Sequence, residues 1–232
     1  MVSYFIGAYW RARKETLEEC LKTMISCLEK ISTLDPELKI YFYATPKKEI
    51  VALENFLRLQ MMREVELAEG DDLGFKARLK ITQDGKEWIS VSFRCGLYNS
   101  TPGMSNYFLI DPVKPGNPFS DKIFRSDFLE ALFRVLATEL RPDWITIISN
   151  SYIENYCPNF GKIPGFCWLI YLSKEFGLMP PLPSNAKTSA VDNLGTLITI
   201  FEEAYDPNSS IQANFLQEVN QILSQSNILR TL

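Results

Sequence analysis

The 232-residue chain is predicted to fold as an α+β protein, a mixed or antiparallel sheet flanked by amphipathic helices towards both ends of the sequence. Three observations carry this expectation. Apolar residues recur at spacings of three and four over about 14–31, 46–62, 126–140 and 208–225. The period changes to two over about 75–94, which marks a β-hairpin. Short aromatic and β-branched runs, separated by Pro and Gly, supply the remaining strands.

The elements follow in order. Ser3 to Trp10 reads as a strand and is followed by a charged turn. Thr16 and Glu19 then stand at capping-box spacing, and Leu17, Leu21, Met24, Leu28 and Ile31 form one helical face that Asp35-Pro36 closes. Lys39 to Ala44 is a second strand. Thr45 as N-cap with Pro46 at the first helical position opens a second helix, whose apolar face is Ile50, Leu53, Phe56, Leu57 and Met61. In the hairpin, Phe75, Ala77, Leu79 and Ile81 face one way, as do Ile89, Val91 and Phe93. A two-residue Asp84-Gly85 loop would put those rows on opposite faces. A three-residue loop, Gln83 to Gly85, is therefore predicted, pairing Leu79 with Ile89 and Ala77 with Val91.

Asn106 to Ile110 is a further strand. The stretch that follows, with Pro112, Pro115, Gly116 and Pro118, is the best place for a split into two lobes, near 111–121, within one unit of 1–232. Phe128, Leu129, Leu132, Phe133, Leu136 and Leu140 make a third helix, closed by Arg141-Pro142. Trp144 to Ile148 is aromatic and β-branched throughout and reads as a buried strand. Strands at Trp168 to Leu172 and Leu194 to Phe201 are separated by Pro180-Pro181-Leu182-Pro183, and a last helix carries Ile211, Phe215, Val219, Ile222 and Leu223.

Composition excludes more chemistry than it names. There is no histidine, so a Ser-His-Asp or Cys-His nucleophile and a His-bearing zinc site are impossible within this chain. Five cysteines, Cys20, Cys27, Cys95, Cys157 and Cys167, include no C-x-x-C pair and read as reduced thiols. The apolar N-terminus precedes Arg11, Arg13 and Lys14, the reverse of a secretory leader. No run approaches the roughly 18 apolar residues that span a bilayer, so a cytoplasmic protein without a membrane partner is expected. The net charge of −4 arises in residues 117–232, which carry 8 basic and 12 acidic side chains, against 16 of each in 1–116. That balance disfavours direct contact with nucleic acid.

Candidate chemical groups are few. Glu15, Glu18 and Glu19 fall in the first turn of the first helix, where acids complement the helix dipole. With Asp71 or Asp72 they would make a carboxylate-dependent metal hydrolase only by converging in one cleft. Glu37-Leu38-Lys39 has nuclease-like E-x-K spacing, but Asp35 is too close to serve as its metal partner. No catalytic residue, cofactor-binding residue or metal ligand is assigned, and no cofactor is expected. Acidic groups remain as partner-binding candidates: Glu64, Glu66, Glu69, Asp71 and Asp72, read as a linker before the hairpin, and Glu202, Glu203 and Asp206 after the last strand.

The strings themselves carry a resemblance. Gly7-Ala8-Tyr9-Trp10, Arg13-Lys14-Glu15, Leu17-Glu18-Glu19-Cys20 and Leu34-Asp35-Pro36 are similar to the N-terminal signature of the immunity protein 52 family of bacterial polymorphic-toxin systems. Trp168, Tyr171-Leu172-Ser173, Pro180-Pro181-Leu182-Pro183, Leu194-Gly195-Thr196-Leu197-Ile198 and Tyr205-Asp206-Pro207 follow the order of that family. The resemblance implies a single immunity-type domain that is not an enzyme. It also implies a cognate toxin as partner, a restriction-endonuclease-like DNase effector of a polymorphic toxin or type VI secretion system. A non-inhibitory escort of a secreted effector is the alternative outside catalysis.

Overall fold

The structure, a computed structural model, describes residues 4–35, 39–41, 52–68, 73–83, 87–98, 105–113, 123–156, 164–166, 168–203, 205–206 and 208–230. Among the described residues nine strands form one sheet: β1 (Tyr4–Trp10), β2 (Lys39–Tyr41), β3 (Phe75–Gln83), β4 (Glu87–Cys95), β5 (Asn106–Val113), β6 (Trp144–Ser149), β7 (Leu169–Ser173), β8 (Lys187–Val191) and β9 (Gly195–Thr199). The order across the sheet is β2-β3-β4-β5-β1-β6-β7-β9-β8, and every neighbouring pair is antiparallel. The helices are α1 (Leu17–Leu34), α2 (Leu53–Ala68), α3 (Ser126–Leu140), α4 (Asn150–Tyr156) and α5 (Ser210–Gln225), with a 3-10 turn at Lys174–Phe176.

The first strand lies in the middle, between β5 and β6, so the N-terminal and C-terminal portions of the chain build one sheet around it. Helix α1 packs against both α2 and α3, and α2 and α3 reach the sheet at β3 and β6. Register aligns Ala77, Phe93 and Phe108 across β3, β4 and β5, and Ala8, Ile145, Tyr171 and Leu197 across β1, β6, β7 and β9. All of these are buried. The alternate row differs between the two sides. On β3 and β4 it is largely polar, with Lys76, Arg78, Ser92 and Arg94, the one-faced pattern of an antiparallel sheet. On β6 and β7 every residue is buried, so both faces are covered there. Leu216, Val219 and Leu223 of α5 join the same core cluster.

The capping box at Thr16 and Glu19 forms as predicted. Other expectations need correction. The second helix runs from Leu53 to Ala68, so Glu64 and Glu66 lie in a helix and not in a linker. Arg63 to Ala68 contains no breaker, which is why the helix continues. Thr45 and Pro46 lie outside the described residues. The hairpin keeps its odd-to-odd phase but pairs Ala77 with Phe93, Leu79 with Val91 and Ile81 with Ile89. A slip of two residues leaves every side chain on its face, so alternation alone cannot reject it. Strand β8 and helix α4 have no counterpart among the expected elements. β8 is a short polar edge strand, exposed over most of its length, and gives no hydrophobic signal.

Candidate functional site

Antiparallel pairing brings the ends of β1 and β7 together with the starts of β6 and β9. A cavity of about 400 Å³ opens there, lined by residues that include Trp10, Arg11, Arg13, Arg141, Asp143, Ser173 and Lys174. The chain between β1 and α1 has no regular structure of its own, and buried polar side chains hold it. Asn106, fully buried, accepts from Leu97 N at 2.9 Å and donates to Arg11 O at 3.0 Å and Leu97 O at 3.2 Å. Asp143 Oδ2 accepts from Arg11 N at 2.8 Å, and its Oδ1 lies 3.4 Å from the Arg11 guanidinium. The backbone of Asp143 donates to Tyr9 O and accepts from Ser173 N, both at 2.8 Å. Arg11 and Arg13 therefore leave a backbone that is fixed before any partner arrives.

Arg11, Arg141 and Lys174 are exposed at the rim. Arg141 ends α3 with φ 47°, in the left-handed region, where a residue with a Cβ costs about 1–2 kcal/mol more than glycine. The Arg13 guanidinium lies 5.7 Å from the centre of the Trp10 ring and pairs with Glu15 at 3.2 Å. Beneath this rim Trp10 Nε1, Arg13 Nε and Ser173 Oγ are buried and have no hydrogen-bond partner among the described residues. Each such group costs about 1–3 kcal/mol until a partner is supplied. Trp10 is 4% exposed and Ser173 8%. Burial, with the nearby Asp143 charge, pushes the Tyr171 phenol up to about 12, so it stays protonated through the neutral range. Gly195 lets β9 close on this wall, because a Cβ there would meet Ser173 Cα at 2.8 Å.

The arrangement offers donors and positive charge. Among the described residues it assembles no nucleophile with a base. A second concavity, about 680 Å³, lies where Gln60 and Arg63 of α2 meet the polar side of β3 to β5, including Lys76, Arg78 and Asp111. There Gln60 Oε1 accepts from Arg78 N at 2.7 Å, capping β3 beyond the end of its short pairing with β2.

The acidic candidates are not drawn into one site. Glu64 and Glu66 belong to α2, and Glu69, Asp71 and Asp72 lie outside the described residues. Glu202 pairs with Lys187, while Asp206 Oδ1 accepts from Asn208 N at 2.9 Å in the loop that starts α5. Glu203 is exposed. Of the carboxylates weighed for metal chemistry, Glu18 pairs with Arg58 and Glu19 closes the capping box. The described residues contain no group of three or more His, Cys, Asp or Glu placed to hold a metal ion. The pocket leaves little trace in the sequence. Its only visible sign was the basic run Arg11, Arg13 and Lys14; the buried Asn106 and Asp143 that orient it gave none.

The fold is that of an α+β protein built on a single antiparallel sheet, with a donor-rich pocket at one end. The model of the family described as immunity protein 52 matches residues 2–232, and the chain belongs to that family. A solved Pseudomonas aeruginosa T6SS protein, PA0821, is similar in fold, with a TM-score of 0.55 and 15% identity over 96% of this chain and 73% of that one. Comparison with curated proteins gave no match. Among the described residues no helix is long and apolar enough to cross a membrane.

Proposed function

We propose that this protein is a cytoplasmic immunity protein that binds a cognate bacterial toxin and neutralises it, and that the toxin is a restriction-endonuclease-like DNase effector of a polymorphic toxin or type VI secretion system. Membership of the immunity protein 52 family over nearly the whole chain carries the reading. A fold shared with a T6SS protein is in keeping with it. We take residues 1–232 as one immunity-type unit, since the sheet continues without interruption from β5 through β1 into β6. Inhibition then needs no chemistry in this chain, only tight association; nuclease toxin and immunity pairs can reach dissociation constants of about 10⁻¹⁴ M.

The acidic groups Glu64, Glu66, Glu69, Asp71 and Asp72, with Glu202, Glu203 and Asp206, are proposed to meet the cationic DNA-binding surface of such a toxin. They would act mainly on association rate. The test is a titration of the purified protein into the toxin domain encoded by the neighbouring gene, with plasmid cleavage as readout. Loss of cleavage near a stoichiometric ratio is the expected result. Undiminished cleavage within a stable complex would replace immunity by escort, and no complex would overturn the reading.

A further inference from the structure

We infer that the pocket at the ends of β1 and β7 and the start of β6 receives an acidic side chain of the toxin. The inference rests on the immunity reading and adds to it an anchoring point of opposite charge to the acidic groups. Three independent features converge on the pocket. Arg11, Arg13, Arg141 and Lys174 among its lining residues outnumber the two acids there, Asp143, which is committed to Arg11, and the exposed Glu175. Trp10 Nε1 and Ser173 Oγ are unpartnered donors, both more than nine-tenths buried, on residues that line it. Arg141 is held in a left-handed conformation at the rim, and such strain concentrates where function needs a side chain in place.

The volume, about 400 Å³, admits one or two side chains and not a globular surface. The occupant is therefore a carboxylate on a projecting segment. Such a group would draw the Arg13 guanidinium off the Trp10 ring and open the unpaired donors beneath. Charge complementarity favours the toxin as its source. A nuclease that works with divalent cations must carry carboxylates to hold them. It thus brings an anionic centre as well as a cationic DNA-binding surface.

The experiment measures binding of the toxin domain to the full-length protein by surface plasmon resonance at two salt concentrations. The variants are Arg141→Glu with Lys174→Glu, the neutral pair Arg141→Gln with Lys174→Gln, and a control, Lys22→Glu, on the exposed side of α1. Thermal unfolding of each confirms that it is folded. The charge-reversed pair is expected to lower the association rate about tenfold or more at low salt and to weaken its salt dependence; the neutral pair should fall between it and the wild type. The control should bind as the wild type does. Wild-type kinetics in both pocket variants would overturn the pocket while leaving immunity standing. An equal loss in Lys22→Glu would reduce the effect to the general field of the protein and overturn it too. Free glutamate that raises the wild-type melting temperature, but not that of the reversed pair, while toxin affinity is unchanged, would make this a small-molecule site instead. A wild type that does not bind the toxin removes the immunity reading, and the inference falls with it.

Discussion

Glu139, near the end of α3, receives hydrogen bonds from Ser26 Oγ and Lys30 Nζ of α1 and so ties the two helices together. Burial alone would raise its carboxyl, but those bonds and the Lys30 charge prevail and hold it below the usual range. A carboxyl depressed on folding stabilises the native state above its unfolded value and loses that contribution as pH falls through the folded one. Glu139→Gln is therefore expected to cost about 0.5–1 kcal/mol near pH 7, screening by solvent included. The gap from wild type should narrow as pH falls below the unfolded glutamate value, about 4.3. Urea unfolding of both proteins from pH 7 to pH 3 measures it, and a gap that persists at pH 3 would assign the effect to packing.

Among the elements, α1 shows most directly how local sequence becomes structure. Thr16 Oγ1 accepts from Glu19 N at 3.3 Å, and Glu19 Oε2 accepts from Thr16 N at 2.8 Å. The helix buries Cys20, Leu21, Met24, Cys27, Leu28 and Ile31, one stripe at spacings of three and four. Thr16→Ala is expected to cost about 1 kcal/mol, read as a lower urea midpoint with an unchanged slope. In α1 and α3 the apolar stripe and the stop signal lie in the same stretch of sequence, whereas α5 has no such stop signal and buries Leu216, Val219 and Leu223 while Ile211 of its expected face is 80% exposed. The bounds of the second helix are less legible: Thr45-Pro46 has the form of a helix start and the charges from Arg63 onward the form of a linker, yet the helix begins at Leu53. Its helix-forming residues in fact continue to Ala68.

For the whole molecule, β1 is central and β6 and β7 are buried along their length, whereas β8 is a mostly exposed edge. Amide hydrogen exchange should therefore be slowest in β1, β6 and β7 and fast in β8, with the slowest amides reporting global unfolding. Mass spectrometry of exchanged peptides checks this; early exchange of 144–149 would contradict a sheet that runs through both portions of the chain.

Composition and periodicity by themselves determined the α+β class, three of the helices, the phase of the hairpin and the exclusion of histidine chemistry. These depend on residue type and on neighbours within a few positions, where helical and strand periods are written directly. The strand order, the two-residue shift in the hairpin and the pocket came only with the tertiary structure. Trp10, Asn106, Arg141, Asp143 and Ser173 are far apart in sequence, and each is unremarkable there. Antiparallel pairing brings them to one end of the sheet, where burial leaves some donors without partners and holds cations above them. Whether a polar group is satisfied is a property of its surroundings, and those exist only in the folded chain.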